Sequence, residues 1–210
     1  MDSNGNYVLG GDINITEPYA SEFTGTFDGG GHTVTLAINT PTDNYVGLFS
    51  KLGNNATVKN LAVTGSVSGK EYIGGIAGTN AGTVTGCKNK ATVTAKERYV
   101  GGIAGESTGT IQNCYNIGVI SSSRTRPVYL GGITGNAKGS GASIANCYNV
   151  GTITTESSGN FGAIVGWISG GNVAECYYLQ IGSIPGTNDS TKTDRATVKS
   201  EEEMKSPEFA

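Results

Sequence analysis

The stretch that decides the fold is Tyr72-Ile73-Gly74-Gly75-Ile76-Ala77-Gly78. It returns as Tyr99-Val100-Gly101-Gly102-Ile103-Ala104-Gly105 and as Tyr129-Leu130-Gly131-Gly132-Ile133-Thr134-Gly135. Looser copies stand at Tyr45-Val46-Gly47-Leu48-Phe49 and Asn160-Phe161-Gly162-Ala163-Ile164-Val165-Gly166. The first glycines fall at 47, 74, 101, 131 and 162, giving steps of 27, 27, 30 and 31 residues. A fixed period in this range marks a repeat whose unit cannot bury its apolar face alone and must stack on its neighbours.

Outward from each copy, two further phrases keep time with it. One is Val58-Lys59-Asn60-Leu61, Val84-Thr85-Gly86-Cys87, Ile111-Gln112-Asn113-Cys114, Ile144-Ala145-Asn146-Cys147 and Val173-Ala174-Glu175-Cys176. The other is Ser66-Val67-Ser68, Thr92-Val93-Thr94, Val119-Ile120-Ser121 and Thr152-Ile153-Thr154. Three β-prone segments per unit and no helical spacing predict three strands per turn. The apolar columns Phe49, Ile76, Ile103, Ile133, Ile164; Val58, Val84, Ile111, Ile144, Val173; and Val67, Val93, Ile120, Ile153 are the expected core. Glycine pairs such as Gly74-Gly75 separate apolar positions three apart, which a flat strand cannot bury together, so a corner or bulge belongs there. The fold expected is all-β: a right-handed parallel β-helix, a three-sided β-solenoid of about six coils over residues 1–180. Residues 181–210 read as a C-terminal cap or linker, in which Ser200-Glu201-Glu202-Glu203 opens a short helix that Pro207 ends.

Composition narrows function. The 210 residues include 34 glycines, with 14 Lys and Arg against 17 Asp and Glu for a net charge of −3, which leaves no basic footprint for nucleic acid. No run of eighteen apolar residues is present, so membrane insertion by this segment is not expected, and the polar residues Asp2 to Asn6 do not read as a signal peptide.

The phrases Gly75-Ile76-Ala77-Gly78, Gly102-Ile103-Ala104-Gly105 and Gly132-Ile133-Thr134-Gly135 resemble the GLUG-repeat family, with Ile for Leu. Phe23-Thr24-Gly25-Thr26-Phe27-Asp28-Gly29-Gly30-Gly31-His32-Thr33-Val34 is similar to that family's first coil. The resemblance spans roughly residues 20 to 180. Leu48-Phe49-Ser50-Lys51 and Ala163-Ile164-Val165-Gly166 each lack a motif glycine. The family occurs in large bacterial surface proteins and beside immunoglobulin A-cleaving metalloproteases. It implies an extracellular, elongated chain with an adhesive or spacing role, attached to the cell through other parts of the protein. It supplies no catalytic residues, and the zinc motif His-Glu-x-x-His is missing here.

Residue by residue, chemistry is scarce. Cys87, Cys114, Cys147 and Cys176 share a column with Leu61, so they read as buried thiols; four sulfurs in one row about 4.8 Å apart cannot surround a zinc ion, although disulfides between adjacent coils are within reach. His32 is the sole histidine and would have to carry any Ser-His-Asp site, but it sits in a turn phrase. Asp12 and Asp28 lack the convergent oxygens that calcium needs. Lys70, Glu71, Lys96, Glu97, Arg98, Arg124 and Arg126 scatter through loops, with no acid–base pair read at coil spacing. Asn89, Asn116 and Asn149 read as a structural amide ladder. Tyr115, Tyr148 and Tyr177 make one aromatic column.

The expectation is a monomeric, non-catalytic module without cofactor or metal. Its candidate ligand-contact surface is Tyr45, Tyr72, Tyr99, Tyr129, Arg124 and Arg126, and its partner class a host or surface glycan or a protein. A binding module would use the tyrosine columns or the longer loops Ser121 to Tyr129 and Asn136 to Ser143, which break the 27-residue rhythm. Alternatives are a polysaccharide-active β-helix enzyme, and an ice-binding solenoid using the hydroxyl rows beside Val67, Val93 and Ile120.

Overall fold

The computed structural model describes residues 1–125, 127–155, 158–180, 182–189 and 194–205. It is a parallel β-solenoid. One coil runs through Thr110–Gln112, Tyr115–Asn116, Ile120–Ser122, Val128–Gly131 and Thr134–Lys138, and the next repeats the path from Ser143–Ala145 to Val165–Ser169. Strands stack on their counterparts in register: Ile111 lies between Val84 and Ile144, and Ile120 between Val93 and Ile153. Among the described residues the strands form four sheets, of seven, eleven, five and seven strands in the order the coil meets them.

The sequence led to three sides, and the glycine phrase is where the structure differs. It holds two strands, Val100–Gly101 on the third sheet and Ala104–Ser107 on the fourth, with Gly102-Ile103 as the corner between them. The corner lets Val100 and Ile103, three residues apart, both be fully buried. Gly101 is required there because a Cβ would lie 2.2 Å from the Ala104 carbonyl oxygen. In the first copy the corner is one residue shorter, so Phe49 pairs with Ala77 and not, as its column in the sequence indicated, with Ile76.

Coil number is also corrected. Five coils carry a strand on the third sheet, whereas the opening coil has three residues between Ile13–Ile15 and Tyr19–Phe23, too few for another strand. Five complete coils therefore stand between partial ones.

The core is a set of columns along the axis. Val58, Val84, Ile111 and Ile144 are fully buried, as are Val93, Ile120, Ile76, Ile103, Ile133 and Ile164. Each such side chain stabilises the fold by roughly 1.5–3 kcal/mol. Phe23, Phe27 and Phe49 pack at the opening end, with ring centroids of Phe23 and Phe49 5.0 Å apart. At the other end Asp194 accepts hydrogen bonds from the Gly186 amide (2.8 Å), the Thr187 and Ala196 amides (both 3.0 Å) and the Tyr178 hydroxyl (3.0 Å). Thr197–Lys199 then adds to the second sheet and leads into α1, Glu201–Met204, whose capping box joins Ser200 and Glu203 as the sequence indicated. Pro207 lies outside the described residues.

Two polar columns run through this apolar interior. The four cysteines are buried, between 0% and 1% exposed, in the column begun by Leu61. Their thiols donate to backbone carbonyls, Cys114 Sγ to Gln112 O at 3.1 Å and Cys147 Sγ to Ala145 O at 3.1 Å. Beside them Asn89 Nδ2 donates to Asn116 Oδ1, and Asn116 Nδ2 to Asn149 Oδ1, both at 2.7 Å. Each amide also closes its own turn, as when Asn116 Nδ2 donates to Gly118 O (3.0 Å) and Asn116 Oδ1 accepts from Gly118 N (3.1 Å).

This ladder explains the second glycine of the motif. A Cβ on Gly102 would lie 2.7 Å from Asn116 Oδ1, and one on Gly75 2.4 Å from Asn89 Oδ1. The two copies without the glycine pair are those whose ladder position is not asparagine: Val63 follows Leu48, and Tyr178 follows Ala163.

Two outcomes follow. Ile103→Asp places an unpaired charge in the stack, where desolvation costs several kcal/mol, and should give no cooperative melt by circular dichroism, while Tyr99→Ala on the outside should melt earlier but cooperatively; equal behaviour would mean that inside and outside are misassigned. Asn116→Ala breaks the ladder bonds to Asn89 and Asn149 and takes from the Gly118 amide and carbonyl the partners that Asn116 gives them, and should destabilise by about 2–6 kcal/mol in urea unfolding, given roughly 1–3 kcal/mol for each of those two backbone groups.

Candidate functional site

The surface that combines aromatic, acidic and basic groups is the edge where the third and fourth sheets meet. Tyr45, Tyr72, Tyr99 and Tyr129 lie there, one per coil and each half-buried. Their rings stack with centroids 4.8, 4.7 and 4.9 Å apart and planes within 17° of parallel. Tyr45, Tyr72 and Tyr99 hold φ of 61°, 60° and 64°. For a bulky side chain this left-handed backbone is strained, on the order of 1–3 kcal/mol. The three ring contacts return about 0.5–1.5 kcal/mol each, one contact for each strained tyrosine, so the ladder offsets part of the strain of the turns that build it. Nothing in the sequence marks these tyrosines as left-handed.

Charged groups flank the rings. Lys51 Nζ sits 4.5 Å from the Tyr45 ring centroid and Arg98 Cζ 5.8 Å from that of Tyr99. Trp167 meets Tyr129 edge-on at 6.4 Å. Burial, then the Glu106 and Glu71 carboxylates, push the Tyr72 phenol up to about 12. Tyr99 is raised too, mainly by burial. Glu106 is itself held by Asn136 Nδ2 (3.0 Å) and Lys138 Nζ (3.4 Å).

Charges that looked scattered in the sequence pair between coils. Arg98 Nε lies 3.2 Å from Glu71 Oε1, and Arg124 Nη1 contacts Glu97 Oε2; both pairs are separated by 27 residues, so acid–base pairs do recur at coil spacing. The reading that none did is overturned: the partners were in the same column, one coil apart. Lys59 and Asp28 pair likewise at 3.3 Å. The Gly30 amide and then Asn60 and Lys59 hold the Asp28 carboxyl below its usual range. His32 Nδ1 lies 3.5 Å from Asp12 Oδ1, which also accepts from the Thr33 amide at 2.8 Å, so both serve the opening turn.

The structure thus gathers the four tyrosines in one strip. Arg124 ties its loop to Glu97 with a side chain 17% exposed, and Arg126 lies outside the described residues. The strip presents ring edges and hydroxyls, because both faces of Tyr72 and Tyr99 are covered by neighbouring rings. Trp167, Asn136 and Glu106 extend it onto the fourth sheet. Sequence reasoning missed these three, although each stands five residues after the first glycine of its repeat phrase, as Thr79 does, which was a usable signal. Tyr115 and Tyr148 stack separately on the second sheet, at 4.7 Å. The hydroxyl rows bond partly to each other, Thr94 Oγ1 to Ser121 Oγ at 2.9 Å, which leaves less of an open array for ice. Among the described residues no group of three or more His, Cys, Asp or Glu converges as a metal site.

Against known proteins, the profile of the GLUG motif matches residues 69–94. Over 78 residues, 36% of this chain, the sequence is 37% identical to halomucin of Haloquadratum walsbyi, of which the matched part is 1%. A crystal structure of a candidate immunoglobulin A1 protease from Bacteroides ovatus superposes on 95% of this chain and 78% of its own, with a TM-score of 0.64 and 21% identity. At that identity the likeness is one of fold.

The phenols set an alkaline limit. Because folding raises the Tyr72 pKa from 10 to about 12, the folded chain holds a proton that the unfolded chain releases between those values. That stabilising contribution is complete below pH 10 and is lost as pH rises toward 12. Spectrophotometric titration should show tyrosines ionising above pH 10 in the native protein, and the melting temperature should fall over the same interval; a native titration matching that in urea would contradict the buried ladder.

Proposed function

We propose that this GLUG-motif chain is a non-catalytic extracellular module of a longer bacterial cell-surface protein, which displays a rigid lateral face for adhesion to a glycan or protein. The observation that carries the reading is the use of reactive side chains. Glu71, Glu97 and Asp28 are paired to a base one coil away, the thiols are inside, and the asparagines bond to one another. Such an arrangement spends acids and bases on holding coils together. A glycosidic or eliminative site would need them convergent on a substrate.

The match to a short part of halomucin and the GLUG profile support a repeat module, and support a surface or extracellular setting. The protease-like neighbour shares the fold, and fold alone neither gives nor removes an activity. What favours binding over pure spacing is the pair of enlarged segments, Ser121 to Tyr129 and Asn136 to Ser143, beside the tyrosine strip: they lengthen the 27-residue repeat, and although Val128, Ala137 and Ala142 join the core, exposed residues such as Ser123, Thr125, Lys138 and Ser140 do not.

The test is an array of glycans and extracellular-matrix proteins probed with the purified domain and with a variant whose 121–129 loop is shortened to the 27-residue rhythm. Loop-dependent capture is the expected result. Capture by neither form would leave a spacer, and cleavage of any polysaccharide on the array would overturn the non-catalytic reading.

A further inference from the structure

Four phenols held in a row on the outside of a rigid scaffold are an oxidisable array. Tyr45, Tyr72, Tyr99 and Tyr129 are half-buried, with successive ring centroids 4.7–4.9 Å apart. The backbone holds them at this spacing, because adjacent coils are paired in register at the residue that follows each tyrosine, Ile73 with Val100 and Val100 with Leu130. Glu71 and Glu106 lie close enough to act electrostatically on both Tyr72 and Tyr99.

We propose that this ladder is a site of oxidative cross-linking, at which a small diffusible one-electron oxidant joins neighbouring tyrosine rings and so locks coil to coil covalently. In each event two adjacent phenols each give one electron to the oxidant and their hydroxyl proton to water. The two phenoxyl radicals then form one carbon–carbon bond between ring carbons ortho to the oxygens. The hydrogen on each of those carbons returns to its own oxygen, restoring two phenols. The pair loses two electrons and two protons in all; with persulfate as the oxidant, one persulfate becomes two sulfates and the protons pass to solvent.

Radicals generated at random on a dilute protein must meet another molecule to couple. Here a partner is already in contact, which raises its effective concentration by orders of magnitude. Each ring is used once, so a single molecule carries a Tyr45–Tyr72 and a Tyr99–Tyr129 link or a central Tyr72–Tyr99 link. The Tyr115–Tyr148 pair, at 4.7 Å and 12°, offers a second location with the same geometry. The inference is independent of whether the lateral face binds a ligand.

The experiment illuminates dilute intact protein with tris(bipyridyl)ruthenium and persulfate, then reads dityrosine fluorescence and the cross-linked peptides by mass spectrometry. Monomeric protein should carry links between ladder neighbours, each recorded as the loss of two hydrogen atoms, and its melting temperature should rise. Tyr99→Phe keeps a ring in the stack but has no phenol to oxidise, so it should lose the Tyr72–Tyr99 and Tyr99–Tyr129 links and retain Tyr45–Tyr72. The wild-type chain in urea serves as the control that needs no variant to fold. Links at equal yield in urea, links found only between molecules, or an unchanged product map in Tyr99→Phe would each overturn the proposal.

Discussion

Everything in this molecule follows from parallel, in-register stacking of one coil on the next. About 4.8 Å separates strands in such a stack, so a residue's nearest neighbours are the residues one repeat before and after it. A column must therefore be built of residues that tolerate their own kind at van der Waals distance. Valine and isoleucine do so by packing, asparagine by donating from one amide to the oxygen of the next, tyrosine by stacking, and cysteine as a small buried hydrophobe. Ionised groups of one sign do not. Where charges enter a column they alternate: Asp28 under Lys59, Glu71 under Arg98, and Glu97 beneath Arg124 with its own amide bonded to the Lys70 carbonyl.

The same constraint sorts what could and could not be read from the sequence. Period, columns, buried thiols and the asparagine ladder are statements about which residues lie above which, and a repeat prints these directly. The number of faces is a statement about corners. A corner depends on the dihedral angles of one or two residues, and those are shared between a glycine pair that looks like a bulge and tyrosines whose φ near 60° no composition reveals. A single missing residue between Val46 and Phe49 moves Phe49 from the Ile76 column to the Ala77 column, which alignment by equal spacing cannot detect. The other turn, at Asn60, Gly86, Asn113, Asn146 and Glu175, was more legible in principle: all five have φ between 51° and 62°, and four are the residue types that enter this region most readily.

The candidate surface was legible in part for the same reason. The tyrosine column is a column and was found. Its surroundings were not, because Lys51, Glu106, Asn136 and Trp167 belong to a different sheet, brought beside the tyrosines only by the corner at the glycine pair. Arg124 was taken as free to meet a ligand, and its contact with Glu97 needed the knowledge that 27 residues is one coil exactly as much for loops as for strands.

The interior and exterior ladders also divide the chain's oxidisable groups. Thiols stand in the column where burial raises the Cys114 pKa well above its ordinary value, which keeps it protonated and poorly reactive. Phenols stand in the column that is half-exposed. Leu61 begins the thiol column without disturbing it, which shows that the site accepts an apolar side chain and requires no sulfur chemistry. The tyrosine column is different in kind. An asparagine or glycine would turn the same left-handed corner with less strain, yet three successive corners carry tyrosine, and the ring contacts that result are what the strained backbone holds in place. The thiol column is thus accommodated by packing, whereas in the tyrosine column the stacked rings are what offsets part of the strain of the backbone beneath them.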